Sequence, residues 1–154
     1  MRKFKCYIID DEPLAIQVVE QLLSKFAQFE ICGKNTEPLS AFHEIKISSP
    51  DLLFLDIEMP DINGLDFLST LQNPPSVIIT TAYRDFAVKS FDLNVLDYLV
   101  KPIPLVRFSQ AINKFLDRIG QSGSEDNLKD QSIFVRADRK NVKVNLNEIL
   151  FLKD

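Results

Sequence analysis

Leu52-Leu53-Phe54-Leu55-Asp56 sets four large apolar residues in a row and closes them with a carboxylate. A strand with one wet face alternates apolar and polar residues. A run that is apolar on both faces is what a parallel sheet covered by helices on both sides requires. Reading outward, the same unit recurs. Upstream, Phe4 to Ile9 reads as a buried strand ending at Asp10-Asp11. Pro13 then suits a first helical position, and Leu14, Val18, Leu22 and Phe26 follow at four-residue steps along one helix face. Phe29 to Cys32 is a second short strand, followed by a weaker helix through Phe42 and Ile45. Downstream, a helix from Gly64 to Leu71 is stopped by Asn73-Pro74-Pro75, and Val77-Ile78-Ile79 makes a fourth strand. A helix over Phe86 to Phe91, a strand Tyr98-Leu99-Val100 and a last helix carrying Leu105, Phe108, Ile112, Phe115 and Ile119 complete the pattern. Five strands alternating with five helices define an open, doubly wound α/β sheet with parallel strands.

The whole-chain properties narrow the chemistry. A length of 154 residues fits one packed domain with a short remainder. There is no apolar run of about 18 residues and no signal-peptide core, so the expected compartment is the cytoplasm, with no membrane partner. His43 is the only histidine, which leaves no Ser-His-Asp or Cys-His machinery and too few ligands for structural zinc; it reads as a solvated helix residue. Cys6 and Cys32 sit in apolar, strand-like surroundings and read as reduced, buried small hydrophobes. A net charge of −4 gives no overall electrostatic footprint for nucleic acid.

The polar residues that interrupt the apolar runs fall at strand C-termini, where open α/β sheets bind their ligands. Asp10 and Asp11 end the first strand, Asp56 the third and Thr80-Thr81 the fourth, while Lys101 follows the fifth. Taken singly, each has an ordinary explanation: a helix cap, a turn, β-propensity, a solvated loop. Together they make a reactive set. Clustered carboxylates repel one another unless a cation compensates them, and hard oxygen ligands of this kind suit Mg2+. Asp56 can then act as a nucleophile toward phosphorus, with Lys101 supplying a point charge and Thr81 a hydroxyl donor for the phosphoryl group.

Four segments carry a resemblance to the receiver domain of bacterial response regulators: Ile8-Ile9-Asp10-Asp11-Glu12-Pro13, Leu55 to Gly64, Thr80-Thr81-Ala82-Tyr83, and Asp97-Tyr98-Leu99-Val100-Lys101-Pro102. The resemblance covers residues 3–120 and implies a flavodoxin-like five-stranded parallel sheet in the order 2-1-3-4-5. It implies that Asp56 is the phosphoacceptor and that Asp10 and Asp11 are the acidic pair that binds Mg2+, with Asp11 the direct ligand. Glu58 would give its backbone carbonyl to the metal, Thr81 and Lys101 would contact the phosphoryl group, and Thr81 and Tyr98 would form the switch. It further implies a cis Lys101-Pro102 bond and a phosphoryl lifetime governed by Glu58 and Tyr83. The partners it implies are a sensor histidine kinase and, on phosphorylation, a second copy docked through the fourth helix, fifth strand and fifth helix. Turnover of an external substrate is not expected: the chain only accepts a phosphoryl group and loses it again.

Thr80 to Pro104 and the tail from Ile133 to Leu152 resemble the LytTR (LytR/AlgR-type) branch. The domain organisation expected from this is a receiver over 1–120, a polar Gly/Ser-containing linker over 121–131, and over 132–154 the β-rich start of a LytTR-type DNA-binding domain. Promoter DNA would then be bound through the complete C-terminal domain, and the 154-residue chain alone would show no site-specific binding. Two rival readings are weaker. A haloacid-dehalogenase-type phosphatase needs Asp-x-Asp after its first strand, where this chain has Asp10-Asp11-Glu12. A pseudo-receiver, acting only as an interaction module without phosphorylation, lacks part of a reactive set that is intact here.

Overall fold

The computed structural model describes residues 2–83 and 95–128, with side chains described up to residue 120. Among the described residues nine elements follow in order: β1 (Phe4–Ile9), α1 (Pro13–Leu23), β2 (Phe29–Asn35), α2 (Pro38–Ser48), β3 (Leu52–Asp56), α3 (Gly64–Ser69), β4 (Ser76–Thr81), β5 (Asp97–Val100) and α4 (Leu105–Leu128). The helix expected over Phe86 to Phe91 lies outside the described residues, so the helix after β5, the fifth in the sequence reading, is α4 here. The strands form one parallel sheet in the order β2-β1-β3-β4-β5, as the resemblance implied. The chain divides at Phe115/Leu116 into two units, and the fold and site described here belong to the first.

β3 is the central strand and is buried along its whole length, which explains its unbroken apolar run. Leu53 and Leu55 join Tyr7, Ile9, Val77 and Ile79 in a core completed by Ala41 and Ile45 of α2 and by Phe67 and Leu68 of α3. Phe54, of opposite parity, stacks on Phe108 of α4 with ring centroids 5.5 Å apart and planes 10° from parallel. Phe115 of α4 meets Phe4 edge-on at 5.2 Å, and Phe26 packs beside Phe108. The two faces of the sheet are thus filled by alternate residues of the same strands, the period of 2 that uniform hydrophobicity hides in the sequence.

One helix face differs from the sequence reading. In α1 the buried residues are Ile16, Val19 and Leu23, while Leu14 is 73% and Val18 43% exposed. Steps of four drift around a helix of 3.6 residues per turn, so a 14-18-22-26 series crosses from one face to another, whereas mixed steps of three and four keep to a single face. In α4 the expected face, spaced by threes and fours, is buried at Phe108, Ile112 and Phe115, with Ala111 beside them; only its first residue, Leu105, is exposed. β2 also runs on to Asn35, past the polar residues that closed the expected strand. Gly33 permits this, because a Cβ there would stand 2.5 Å from Cε2 of the Tyr7 ring lying across it. α4 continues to Leu128, so residues 121–128 of the expected linker are helical. The expected strands of the tail lie outside the described residues. Cys6 and Cys32 are free thiols, the first buried and the second half-buried, and His43 is an exposed residue of α2.

Gly64 fixes the path of the chain after Asp56. Its amide donates to the Ile57 carbonyl at 2.8 Å, and a Cβ would press on the Asp56 carbonyl oxygen and stand 2.9 Å from Ile57 Cα. Asn63 caps α3 by accepting a hydrogen bond from the Leu65 amide at 2.7 Å. A Gly64→Ala variant must push backbone aside, and the expected cost is about 2–4 kcal/mol, the range of severe overpacking. Urea unfolding measures it; a loss below about 0.5 kcal/mol would mean that the loop has slack the packing does not suggest.

Candidate phosphoacceptor site

The ends of β1 and β3 lie side by side, Ile9 opposite Leu55, and this register brings Asp10 and Asp11 against Asp56. One carboxylate oxygen from each of the three lies within 4.8 Å of the others. Asp10 and Asp56 are almost fully buried, and Asp11 is half-exposed at the rim. The loop after β5 reaches across with Lys101, whose Nζ donates to Asp10 Oδ2 at 2.8 Å and stands 3.6 Å from Asp56 Oδ1. Lys101-Pro102 is cis, as the resemblance implied. Backbone amides complete the orientation: Glu12 N–H donates to Asp10 Oδ1 at 3.0 Å and Glu58 N–H to Asp56 Oδ1 at 3.3 Å.

The electrostatics are those of an undercompensated cluster. Burial, reinforced by the Asp10 charge, pushes the Asp56 carboxyl from 3.8 up to about 8, although Lys101 pulls the other way. Burial also works against the Lys101 ammonium. Its hydrogen bond to Asp10 and the Asp56 charge outweigh that, and the lysine is held above its ordinary range and stays charged. Among the described residues, the three carboxylates face one ion-paired cation. Three hard oxygen donors converging with an excess of negative charge suit a divalent cation of the Mg2+ class, so the residues present fit that group.

The remaining expected residues take distinct places. Thr80 pairs in register with Asp56, and Thr81 follows it at the end of β4. The Thr81 hydroxyl is engaged with the Tyr83 backbone, accepting from its amide at 3.0 Å and donating to its carbonyl at 3.3 Å. Tyr83 itself is 57% exposed. Tyr98 lies in β5 opposite Ile79, half-buried against the core below α2 and α3. Asn63 and Gly64 entered the sequence reading only as the end of a matching segment and the start of a helix, without a role at the site, and the Glu12 amide did not enter it. Asn-Gly at the head of an apolar-periodic stretch was the available signal for the first two, while an amide contact leaves no trace in residue type.

A five-stranded sheet in this order, with a buried aspartate, an acidic pair and a lysine at the strand ends, defines the class: phosphoacceptor modules of the flavodoxin-like fold. This chain belongs to the response regulator receiver domain family, whose model it matches over residues 6–113. It is similar to the sensory transduction protein LytR of Staphylococcus haemolyticus, with 34% identity over 82% of this chain and 51% of that protein. It is likewise similar to the sensory transduction protein LytT of Bacillus cereus, with 35% identity over 72% and 46%. These relatives agree with the LytTR branch, and the chain spans about half of their length. Among solved structures, the response regulatory domain of mrkE from Klebsiella pneumoniae superposes with a TM-score of 0.69 at 29% identity, over 76% of this chain and 98% of that one. The receiver domain of a Luxo repressor protein from Vibrio parahaemolyticus gives 0.70 at 26% identity, over 79% and 95%. The chain is thus a receiver domain of two-component, phosphorylation-dependent signalling. No helix among the described residues is long and apolar enough to cross a membrane.

Proposed function

We propose that this chain takes a phosphoryl group from a sensor histidine kinase onto Asp56 and, within a longer cytoplasmic regulator, relays that event to transcription. The observation that carries the reading is the buried Asp56 carboxylate, oriented by the Glu58 amide and within 3.6 Å of the Lys101 ammonium. Asp10, Asp11 and Asp56 would hold Mg2+, together with the Glu58 backbone carbonyl. When bound, that ion neutralises the cluster and the charge on an incoming phosphoryl group. An Asp56 carboxylate oxygen bonds to phosphorus as the bond from phosphorus to the donor breaks. Lys101 balances the charge that the phosphoryl oxygens carry, and Thr81 leaves the Tyr83 backbone to donate its hydroxyl to one of them. Glu58 and Tyr83 flank the approach of water and set how long the acyl phosphate lasts. No external substrate is turned over.

The added phosphoryl group brings roughly −1.5 to −2 charges and three acceptor oxygens. That is sufficient to draw Thr81 inward and let Tyr98 follow, shifting a two-state equilibrium on the face that carries β5 and the start of α4; the fourth helix that the resemblance adds to this face lies outside the described residues. The partner on that face is a second copy of the chain, and promoter DNA is engaged through a complete C-terminal domain. Incubation with acetyl phosphate and Mg2+, or with beryllofluoride, should raise the sedimentation coefficient to that of a dimer, and chelation should prevent it. Unchanged sedimentation with fully phosphorylated protein would contradict the switch. In a gel shift, the 154-residue chain should bind promoter DNA no better than unrelated DNA; sequence-selective binding by this chain alone would overturn the DNA assignment.

A further inference from the structure

β5 is a terminal strand of the described sheet, hydrogen-bonded to β4 on one side only. A terminal strand has no second neighbour to hold its main chain, yet this one carries Tyr98. Side chains of α4 take the place of that neighbour. The Asp97 carboxylate, 7% exposed, receives Arg107 as a two-pronged fork, Nη1 to Oδ2 at 2.9 Å and Nη2 to Oδ1 at 2.7 Å. The same Nη2 donates to the Tyr98 carbonyl at 3.0 Å, and the Tyr98 amide donates to Asp97 Oδ1 at 2.8 Å. Lys114 adds a second cation, its Nζ 3.3 Å from Oδ1. Both polar groups of the Tyr98 main chain are therefore held by one ion pair rooted in the first turns of α4.

This pair is a stiff link. Burial alone would raise the Asp97 carboxyl, but the Arg107 hydrogen bond and the Lys114 charge outweigh it and hold the group below its ordinary range, so it is ionised at neutral pH. A planar guanidinium bonded at both nitrogens has one geometry, which a single ammonium cannot reproduce. Arg107 touches none of the three clustered carboxylates among its described contacts.

We infer that Arg107 is a positioning residue that couples Tyr98 to α4, so that a displacement of Tyr98 is carried into the helix face instead of being absorbed by the strand. The inference rests on the Thr81–Tyr98 switch proposed above and adds the element through which it reaches α4.

The test uses the 154-residue chain labelled with fluorotyrosine; its three tyrosines, Tyr7, Tyr83 and Tyr98, are assigned by Phe substitution. Parent, Arg107→Ala and Arg107→Lys proteins are compared with and without beryllofluoride and Mg2+. In the parent, the mimic should shift the Tyr98 resonance and produce dimer. In both variants, Asp56 labelling by acetyl phosphate should stay within twofold of the parent and Tyr98 should still shift. Dimer formation at matched concentration should fall at least tenfold. Arg107→Lys, which keeps the charge, should recover thermal stability without recovering dimerisation. A variant that dimerises like the parent overturns the inference. So does joint loss of labelling and of the Tyr98 shift, which marks a purely structural role. If the parent itself is labelled but its Tyr98 resonance does not move, the switch reading fails, and the coupling with it.

Discussion

Replacing Asp56 by Asn should lower phosphoryl incorporation from acetyl phosphate by at least about a hundredfold, because an uncharged amide replaces the nucleophilic carboxylate. The substitution is nearly isosteric, so the fold is kept and the loss is chemical. Lys101→Ala should cost roughly a hundredfold as well, the scale on which removal of one charge-stabilising donor acts. The two variants differ in a second respect. Asp56→Asn removes a carboxyl that burial and Asp10 keep from ionising in the metal-free chain, whereas Lys101→Ala removes the cation that Asp10 and Asp56 share, at 2.8 and 3.6 Å. Asp56→Asn should therefore be as stable as the parent or more so at neutral pH, and Lys101→Ala less stable. Radiolabel incorporation and thermal melts on the same samples separate the effects; Asp56→Asn labelled as fast as the parent would move the acceptor elsewhere.

Without divalent metal, stability should fall as pH rises from about 5 to about 9. The sign follows from Asp56, whose carboxyl is raised from 3.8 to about 8 in the folded chain by burial and by Asp10. A raised carboxyl binds more protons folded than unfolded. Its contribution is fully present below the unfolded value and is lost as pH climbs through the folded one. Millimolar Mg2+ should reverse much of the loss at pH 8, by an amount on the order of 1–3 kcal/mol, and should matter little at pH 5, where protons occupy the site. Asp56→Asn should flatten the metal-free profile. Asp97 acts in the opposite sense at the acid end, since its lowered carboxyl contributes stability that is lost as pH falls. Melting curves across pH, with and without chelator, read both. A metal-free profile that rises between pH 5 and 9 would be inconsistent with the Asp56 environment described here.

What could be read from the sequence follows from what sequence encodes directly. Leu52 to Asp56 announces a strand buried on both faces, and the structure makes it the central strand. Asp10, Asp11, Asp56 and Lys101 were legible because each polar residue breaks an apolar run at a strand end, and parallel strands put such ends on one edge. Helix faces were less legible. With apolar residues at Leu14, Ile16, Val18, Val19, Leu22 and Leu23, α1 offers more than one candidate stripe, and only contact with the sheet selects Ile16, Val19 and Leu23. Thr81 was placed at the right strand end, but its hydrogen bonds to the Tyr83 backbone depend on a local turn that residue type does not reveal. The Asp97–Arg107 pair was invisible for another reason: its partners are ten residues apart across a strand, a cis peptide and a helix start, where no periodicity operates.

The most direct measurement is the location of the phosphoryl group itself. The 154-residue chain is incubated with acetyl phosphate and Mg2+, the acyl phosphate is trapped by borohydride reduction, and peptides are mapped by mass spectrometry. One modified residue is expected, at Asp56, absent when chelator is added. Modification at Asp10, Asp11 or His43 in its place, or an unmodified chain after prolonged incubation with the metal present, would contradict the assignment.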